Sequence, residues 1–191
     1  LPFSARLIIQ ILASWLVIIS TDVYLRDLGD LFGIFSFYLG EMGIPVTIFM
    51  VVGVCNAFNM LDGMDGLLSL LVITTLIMFH LFTGTSPGFV SLAIGAALLA
   101  FLVSNLSLSP IIPKTFLGDA GSKLLGFIVV CLLLAAASTQ VGQTKLIQPV
   151  TALFIVALPL YDMVFTSLRR IIHKGSPFAA DRSHIHHLMQ D

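Results

Sequence analysis

The sequence predicts an all-α, polytopic membrane helix bundle of about six transmembrane segments, with its active site on the cytoplasmic face. Three observations carry that prediction. Of 191 residues, 58% are hydrophobic and 10% are charged, against roughly one-quarter charged residues in a soluble domain. Apolar stretches recur at 7–21, 44–61, 67–83, 89–108, 124–138 and 149–168; these come close to the ~20 residues that cross a bilayer core, and flanking residues or local thinning supply the difference. The charges also divide unequally between alternate connections. Arg6, Lys114, Lys123, Arg169, Arg170, Lys174 and Arg182 lie on one side, and only Arg26 and Lys145 on the other. Such an excess of lysine and arginine marks the cytoplasmic side.

Taken in order, the first span begins almost at Leu1, with neither an initiator Met nor a basic segment leading to a cleavage site, so the chain reads as a piece of a longer protein. The connection 22–43 falls outside the cell. It holds Asp22, Asp27, Asp30 and Glu41 among Gly29, Gly33 and Gly40, and reads as an irregular or interfacial connector without a catalytic role. The second span ends on Asn56 and Asn59, which at i and i+3 share a helix face. Trp15 and His80 read as interface or core residues. Cys55 and Cys131 sit inside apolar runs and read as small buried hydrophobes rather than a disulfide or metal ligands. Asp162, near the cytoplasmic end of the sixth span, reads as a helix-packing or water-facing acid. Residues 1–168 thus form the membrane bundle, and 169–191 a basic, histidine-rich cytoplasmic loop.

Three polar constellations converge on the cytoplasmic side. The first is Asn56-Ala-Phe-Asn59-Met-Leu-Asp62-Gly63-Met-Asp65-Gly66, where glycines permit tight turns and carboxylates collect at the membrane surface; the plain alternative is a simple helix–helix turn. The second is Phe116-Leu-Gly118-Asp119-Ala-Gly121-Ser122-Lys123, which lacks the spacing and the preceding strand of a phosphate-binding P-loop. Asp119 is the leading ligand for Mg²⁺, with Mn²⁺ as the alternative ion, because such ions take one or two carboxylates plus substrate phosphates. Its alternative role is the N-cap of the fifth span. The third is Asp181-Arg182-Ser-His184-Ile-His186-His187. Its histidines lack the partner pair that zinc requires; with Arg182 they offer donors to a pyrophosphate.

In this order the three motifs resemble the polyprenyl-phosphate N-acetylhexosamine-1-phosphate transferase family across essentially the whole chain. Within it, the His-Ile-His-His form and Ser176-Pro-Phe178 look like the branch acting on undecaprenyl phosphate with GlcNAc-1-phosphate. The resemblance implies transfer of a sugar 1-phosphate from a UDP-sugar to undecaprenyl phosphate in the bacterial plasma membrane, releasing UMP, as the first membrane step of O-antigen or related polysaccharide synthesis. It implies that Asp119 binds the catalytic Mg²⁺ with Asp62 as second acid, that Asn59 and Asp65 help hold the nucleotide, that Asn56 is also substrate-binding, and that Phe116 lies near the uracil. His184, His186 and His187, with Arg182, would close over the sugar-phosphate end. The family's earlier Asp-Asp motif would fall before Leu1, so this stretch by itself is expected to be inactive. Partners are the UDP-sugar, the polyprenyl phosphate and the membrane, with no nucleic acid; a homo-oligomer is compatible with the sequence. The rival readings are a non-catalytic membrane scaffold and a transporter subunit, the latter disfavoured because polar groups cluster at one surface instead of running through the bilayer.

Overall fold

The computed structural model describes residues 3–30, 36–108, 111–138 and 145–172. In chain order these form α1 (Phe3–Thr21), β1 (Asp27–Asp30), β2 (Ser36–Tyr38), a single 3₁₀ turn (Gly40–Met42), α2 (Gly43–Leu61), α3 (Leu67–Thr83), α4 (Phe89–Asn105), α5 (Gly118–Ala137), α6 (Pro149–Ile155) and α7 (Ala157–Ile172). The architecture is an all-α membrane bundle, and each predicted apolar stretch lies largely on helix. Segments Ser4–Thr21, Gly40–Leu61 and Gly118–Ala137 are long and apolar enough to cross a membrane on their own. The bent pair α6 and α7 makes a fourth if it is one broken span, while α3 and α4 are apolar but shorter, at 17 residues each, or about 25 Å at 1.5 Å per residue.

Helix α2 is the axis of the packing, with α5, α7 and α1 arranged against it. Gly126 lets α5 approach α2 closely: a Cβ there would stand 3.1 Å from the Cys55 Cα and 3.2 Å from the Phe58 Cβ. Small residues allow this closeness, which supplies much of the attraction between helices where lipid removes the hydrophobic drive. Around the contact, Val51, Val54, Cys55 and Phe58 of α2 meet Val129, Val130 and Leu133 of α5 and Leu68, Val72 and Leu76 of α3 in one buried cluster. The outer face of α1 carries exposed Ile8, Leu12, Trp15, Leu16 and Ile19, the apolar surface a helix turns toward lipid. Cys55 and Cys131 are both free thiols.

The structure departs from the sequence expectations at four places. The predicted sixth span is not one helix: α6 and α7 are bent by 77° at a break. Pro159 explains the break, since it has no N–H to donate to the Ile155 carbonyl and its ring crowds that group, so it is accommodated only in the first turn of a new helix. The connection after α1 is not wholly irregular; β1 and β2 pair antiparallel, Asp27 opposite Tyr38 and Asp30 opposite Ser36. Helix α5 starts at Gly118 instead of 124, which places Asp119, Ser122 and Lys123 on the helix itself. Helix α7 continues to Ile172, past the predicted domain boundary at 168.

The two ends of the bundle differ in character. At one end the hairpin is tied down by an ion pair between Asp27 and Lys145, while the Thr47 hydroxyl of α2 accepts the Leu25 N–H at 3.0 Å. Arg26 pairs with Asp22 at 2.7 Å and its guanidinium lies 4.6 Å from the centre of the Tyr24 ring. The other end gathers the start of α1, the ends of α2 and α4, and the starts of α3 and α5. It holds the acids singled out above.

Candidate functional site at one end of the bundle

Membrane-spanning helices satisfy their backbone internally, so polar side chains are least costly where the spans end. The site is built from such ends. Asn59, in the last turn of α2, turns its carboxamide toward α5, where its Oδ1 lies 2.9 Å from the Ser122 hydroxyl and 3.0 Å from the Lys123 ammonium, both donors. Lys123 also stands 3.5 Å from the Asp119 carboxylate, and Arg6 of α1 pairs with that same carboxylate. Three helices are thereby joined through one acid, one amide and two cations.

Asp119 lies in the first turn of α5, while Leu117 occupies the N-cap without a side-chain bond. The N-cap role is thus corrected: the carboxylate sits inside the helix start, where the positive end of the helix favours its charge, and its side chain is 65% exposed. Asp62 follows the end of α2 as its C-cap. Burial first, and then the negative charge of Asp119, push the Asp62 carboxyl above the usual carboxylate range. A carboxyl raised in this way by burial and a neighbouring negative charge favours a cation beside it.

Asp65 reaches across to the segment before α5, where Lys114 meets it at 2.5 Å. The Lys114 ammonium lies 5.3 Å from the centre of the Phe116 ring, a cation–π distance. Phe116 is 73% exposed, leaving a flat aromatic surface open beside the acids. The turn carrying Asp62 and Asp65 ends at Gly66, whose φ of +75° lies in the left-handed region that glycine adopts without strain. Its N–H donates to the Asn105 Oδ1 at 2.6 Å.

Of the residues expected from sequence, Asn59, Asp62, Asp65, Phe116 and Asp119 lie together at this end. Asn56 is one helical turn deeper and is directed elsewhere, donating to the Gln10 Oε1 of α1 at 3.1 Å and to the Val52 carbonyl at 2.8 Å. Arg182, His184, His186 and His187 lie outside the described residues. Asp162 is buried on α7. The structure adds Arg6 and Lys114, which the sequence reading counted only as topology signals, gives partners to Ser122 and Lys123, which stood in the second motif without a role, and brings in Asn105 and Gln10. The available signal was a run of polar residues at span ends, such as Ser104-Asn105 closing α4, where an apolar helix has no need of an amide.

Among the described residues no three His, Cys, Asp or Glu side chains form a ready metal cage. The donor set present is nevertheless oxygen-only: Asp62 feels the negative charge of Asp119, and Asp119 is well exposed. That set fits a hard divalent ion whose other ligands are water and substrate phosphate oxygens, provided Arg6 and Lys123 turn from Asp119 toward those phosphates.

The fold and this end of it define a multi-pass membrane protein with a charged constellation at one edge of its bundle. The family model for glycosyl transferase family 4 matches residues 1–137, and the chain belongs to that family. It is similar to the undecaprenyl-phosphate alpha-N-acetylglucosaminyl 1-phosphate transferase of Escherichia coli strain K12, 42% identical over 188 residues that cover 96% of this chain and 50% of the relative. The Yersinia pestis protein of that name is 40% identical over 96% of this chain and 51% of its own length. The Haemophilus influenzae one is 41% identical over 95% of this chain and 52% of its own. The chain thus spans about half the length of the curated relatives it matches.

Proposed function

We propose that this chain carries the nucleotide and metal side of a Mg²⁺-dependent phosphoglycosyl transferase that moves GlcNAc-1-phosphate from UDP-GlcNAc to undecaprenyl phosphate at the cytoplasmic face of the bacterial plasma membrane. The carrying observation is that two acidic motifs far apart in sequence meet at one bundle end together with Arg6, Lys114 and Lys123. Family membership and the names of the relatives support the same reaction class. Both substrates are anionic and one is a lipid, so the two meet only at a bilayer edge that offers compensating charge.

In this reading an oxygen of the lipid phosphate attacks the β-phosphorus of the donor, and the bond from that phosphorus to the UMP oxygen breaks. UMP leaves with the bonding electrons. The attacking phosphate is already ionised, so no proton needs removal. One phosphoanhydride replaces another, which leaves positioning and electrostatics as the main sources of rate. Mg²⁺, when held through Asp119 with Asp62 beside it, would neutralise diphosphate charge and ease departure of UMP. Arg6 and Lys123 hold phosphate oxygens, Asn59 keeps Lys123 in place, and Phe116 offers its exposed ring to the uracil with Asp65 and Lys114 at its edge. By the resemblance, His184, His186, His187 and Arg182 would serve the sugar-phosphate end.

The test is to incubate the full-length gene product in membranes with UDP-GlcNAc, undecaprenyl phosphate and Mg²⁺. Release of UMP with formation of a lipid-linked GlcNAc diphosphate is expected. If neither product forms, the proposal fails.

A further inference from the structure

The end of α4 contains a joint that the proposed chemistry leaves unused. Asn105 is buried at 5% exposure, a position where an amide is costly unless both its ends are bonded. Both are. Its Oδ1 accepts the Gly66 N–H at 2.6 Å, and its Nδ2 donates to the Thr115 carbonyl at 2.9 Å. Gly66 adjoins Asp65, and Thr115 lies between Lys114 and Phe116. Neighbouring Ser104 grips the same stretch: its hydroxyl stands 2.7 Å from the Pro113 carbonyl and 2.7 Å from the Thr115 Oγ1. A side chain at position 66 would come within 2.9 Å of the Leu106 Cδ2, so the glycine also lets the turn lie close against the end of α4.

Asn105 therefore spans two loops whose adjacent residues are the ones facing each other in the site. The Asp65–Lys114 pair has both side chains about two-fifths exposed, at 42% and 40%, and an ion pair so wet is too weak to hold two loops in register. The buried amide is not. By contrast, Arg6, Asn59, Asp119 and Lys123 are placed by the packing of α1, α2 and α5, which does not pass through Asn105.

We infer that Asn105 is a positioning residue for the nucleotide end of the site, setting the register between the Asp65 turn and the Lys114–Phe116 segment while leaving the cluster of Arg6, Asn59, Asp119 and Lys123 unaffected. This rests on the transferase reading proposed above. Asn105→Asp is the informative change, since it keeps the shape and the acceptor for Gly66 but sets a second acceptor against the Thr115 carbonyl. In the full-length protein in membranes, the KM for UDP-GlcNAc should rise roughly tenfold, the effect of losing one buried hydrogen bond, while the KM for undecaprenyl phosphate stays within about twofold because the two loops that Asn105 joins serve the nucleotide and not the lipid in this reading. Calorimetric binding of UDP without lipid should weaken by the same factor as the donor KM. A donor KM equal to wild type, or equal rises in both KM values, overturns the inference. If Asn105→Asp does not accumulate as folded protein, Ser104→Ala decides: a donor KM raised roughly threefold with the lipid KM unmoved supports the joint, and no change refutes it. Wild-type protein that neither binds UDP nor releases UMP removes the transferase reading, and this inference with it.

Discussion

Replacing Asp119 by Asn separates chemistry from architecture at this site. The substitution is nearly isosteric and keeps a carbonyl oxygen that Arg6 and Lys123 can still approach; it removes one negative charge. Its structural cost is small. The Asp119 side chain is 65% exposed, and ion pairs that wet contribute roughly 0–1 kcal/mol each. Relief of Asp62, whose carboxyl the Asp119 charge pushes upward, works in the opposite direction. Thermal unfolding in detergent should therefore move by no more than a few degrees. Turnover should respond quite differently, because an ion held by this carboxylate supplies several kcal/mol of charge stabilisation. Taking about 4 kcal/mol, at 1.36 kcal/mol per tenfold, kcat falls on the order of a thousandfold. Loss of an interaction that matters mainly in the transition state leaves the donor KM within a few-fold of wild type. The assay is UMP release from radiolabelled UDP-GlcNAc at saturating Mg²⁺, beside a melting curve of the same preparation. Turnover within about tenfold of wild type would remove Asp119 from the ion site, and a collapse of the melting transition would make its role structural.

Two further outcomes follow from particular contacts. Because the folded-state pKa of Asp62 is raised, the folded protein binds the proton more tightly than the unfolded chain. The resulting penalty on stability is absent below the unfolded value of 3.8, grows as pH rises through the folded pKa, and is complete above it. Asp62→Asn should thus raise the melting temperature at neutral pH with a gain that disappears toward acid, although it lowers turnover; a pH-independent difference would contradict this. Gly126→Ala places a methyl 3.1 Å from the Cys55 Cα, and overpacking of this kind costs about 1–3 kcal/mol. An unaltered unfolding midpoint would show that α2 and α5 are not so closely packed.

The helical framework was legible because lipid imposes a single condition, a long apolar run, and every such run became helix. Where that reading failed, a local cause had been in view. Pro159 sits ten residues into the predicted sixth span, too deep for one uninterrupted helix. Gly118 was read as part of a connection, although α5 begins there. The hairpin was missed because β1 and β2 are only four and three residues long and lack the alternation that marks longer strands. The acids of the site stood out as acids, since a carboxylate is rare in so apolar a chain. Their cationic partners were hidden by having another explanation: Arg6, Lys114 and Lys123 count equally well toward membrane orientation.

That ambiguity has a physical origin. Within the bilayer a polar side chain is excluded unless satisfied, so selection for a stable bundle drives charges to the span ends regardless of function. A sequence therefore reveals that Asp119, Lys123 and Arg6 belong near a surface, which is a one-body condition imposed by lipid. Which of them touch is a many-body condition, set by how α1, α2 and α5 pack, and the close contact at Gly126 is what brings Asn59 opposite Ser122 and Lys123. The pairing is thus written in the apolar faces rather than in the polar motifs. The small residue in the middle of α5 and the carboxylate in its first turn are parts of the same arrangement.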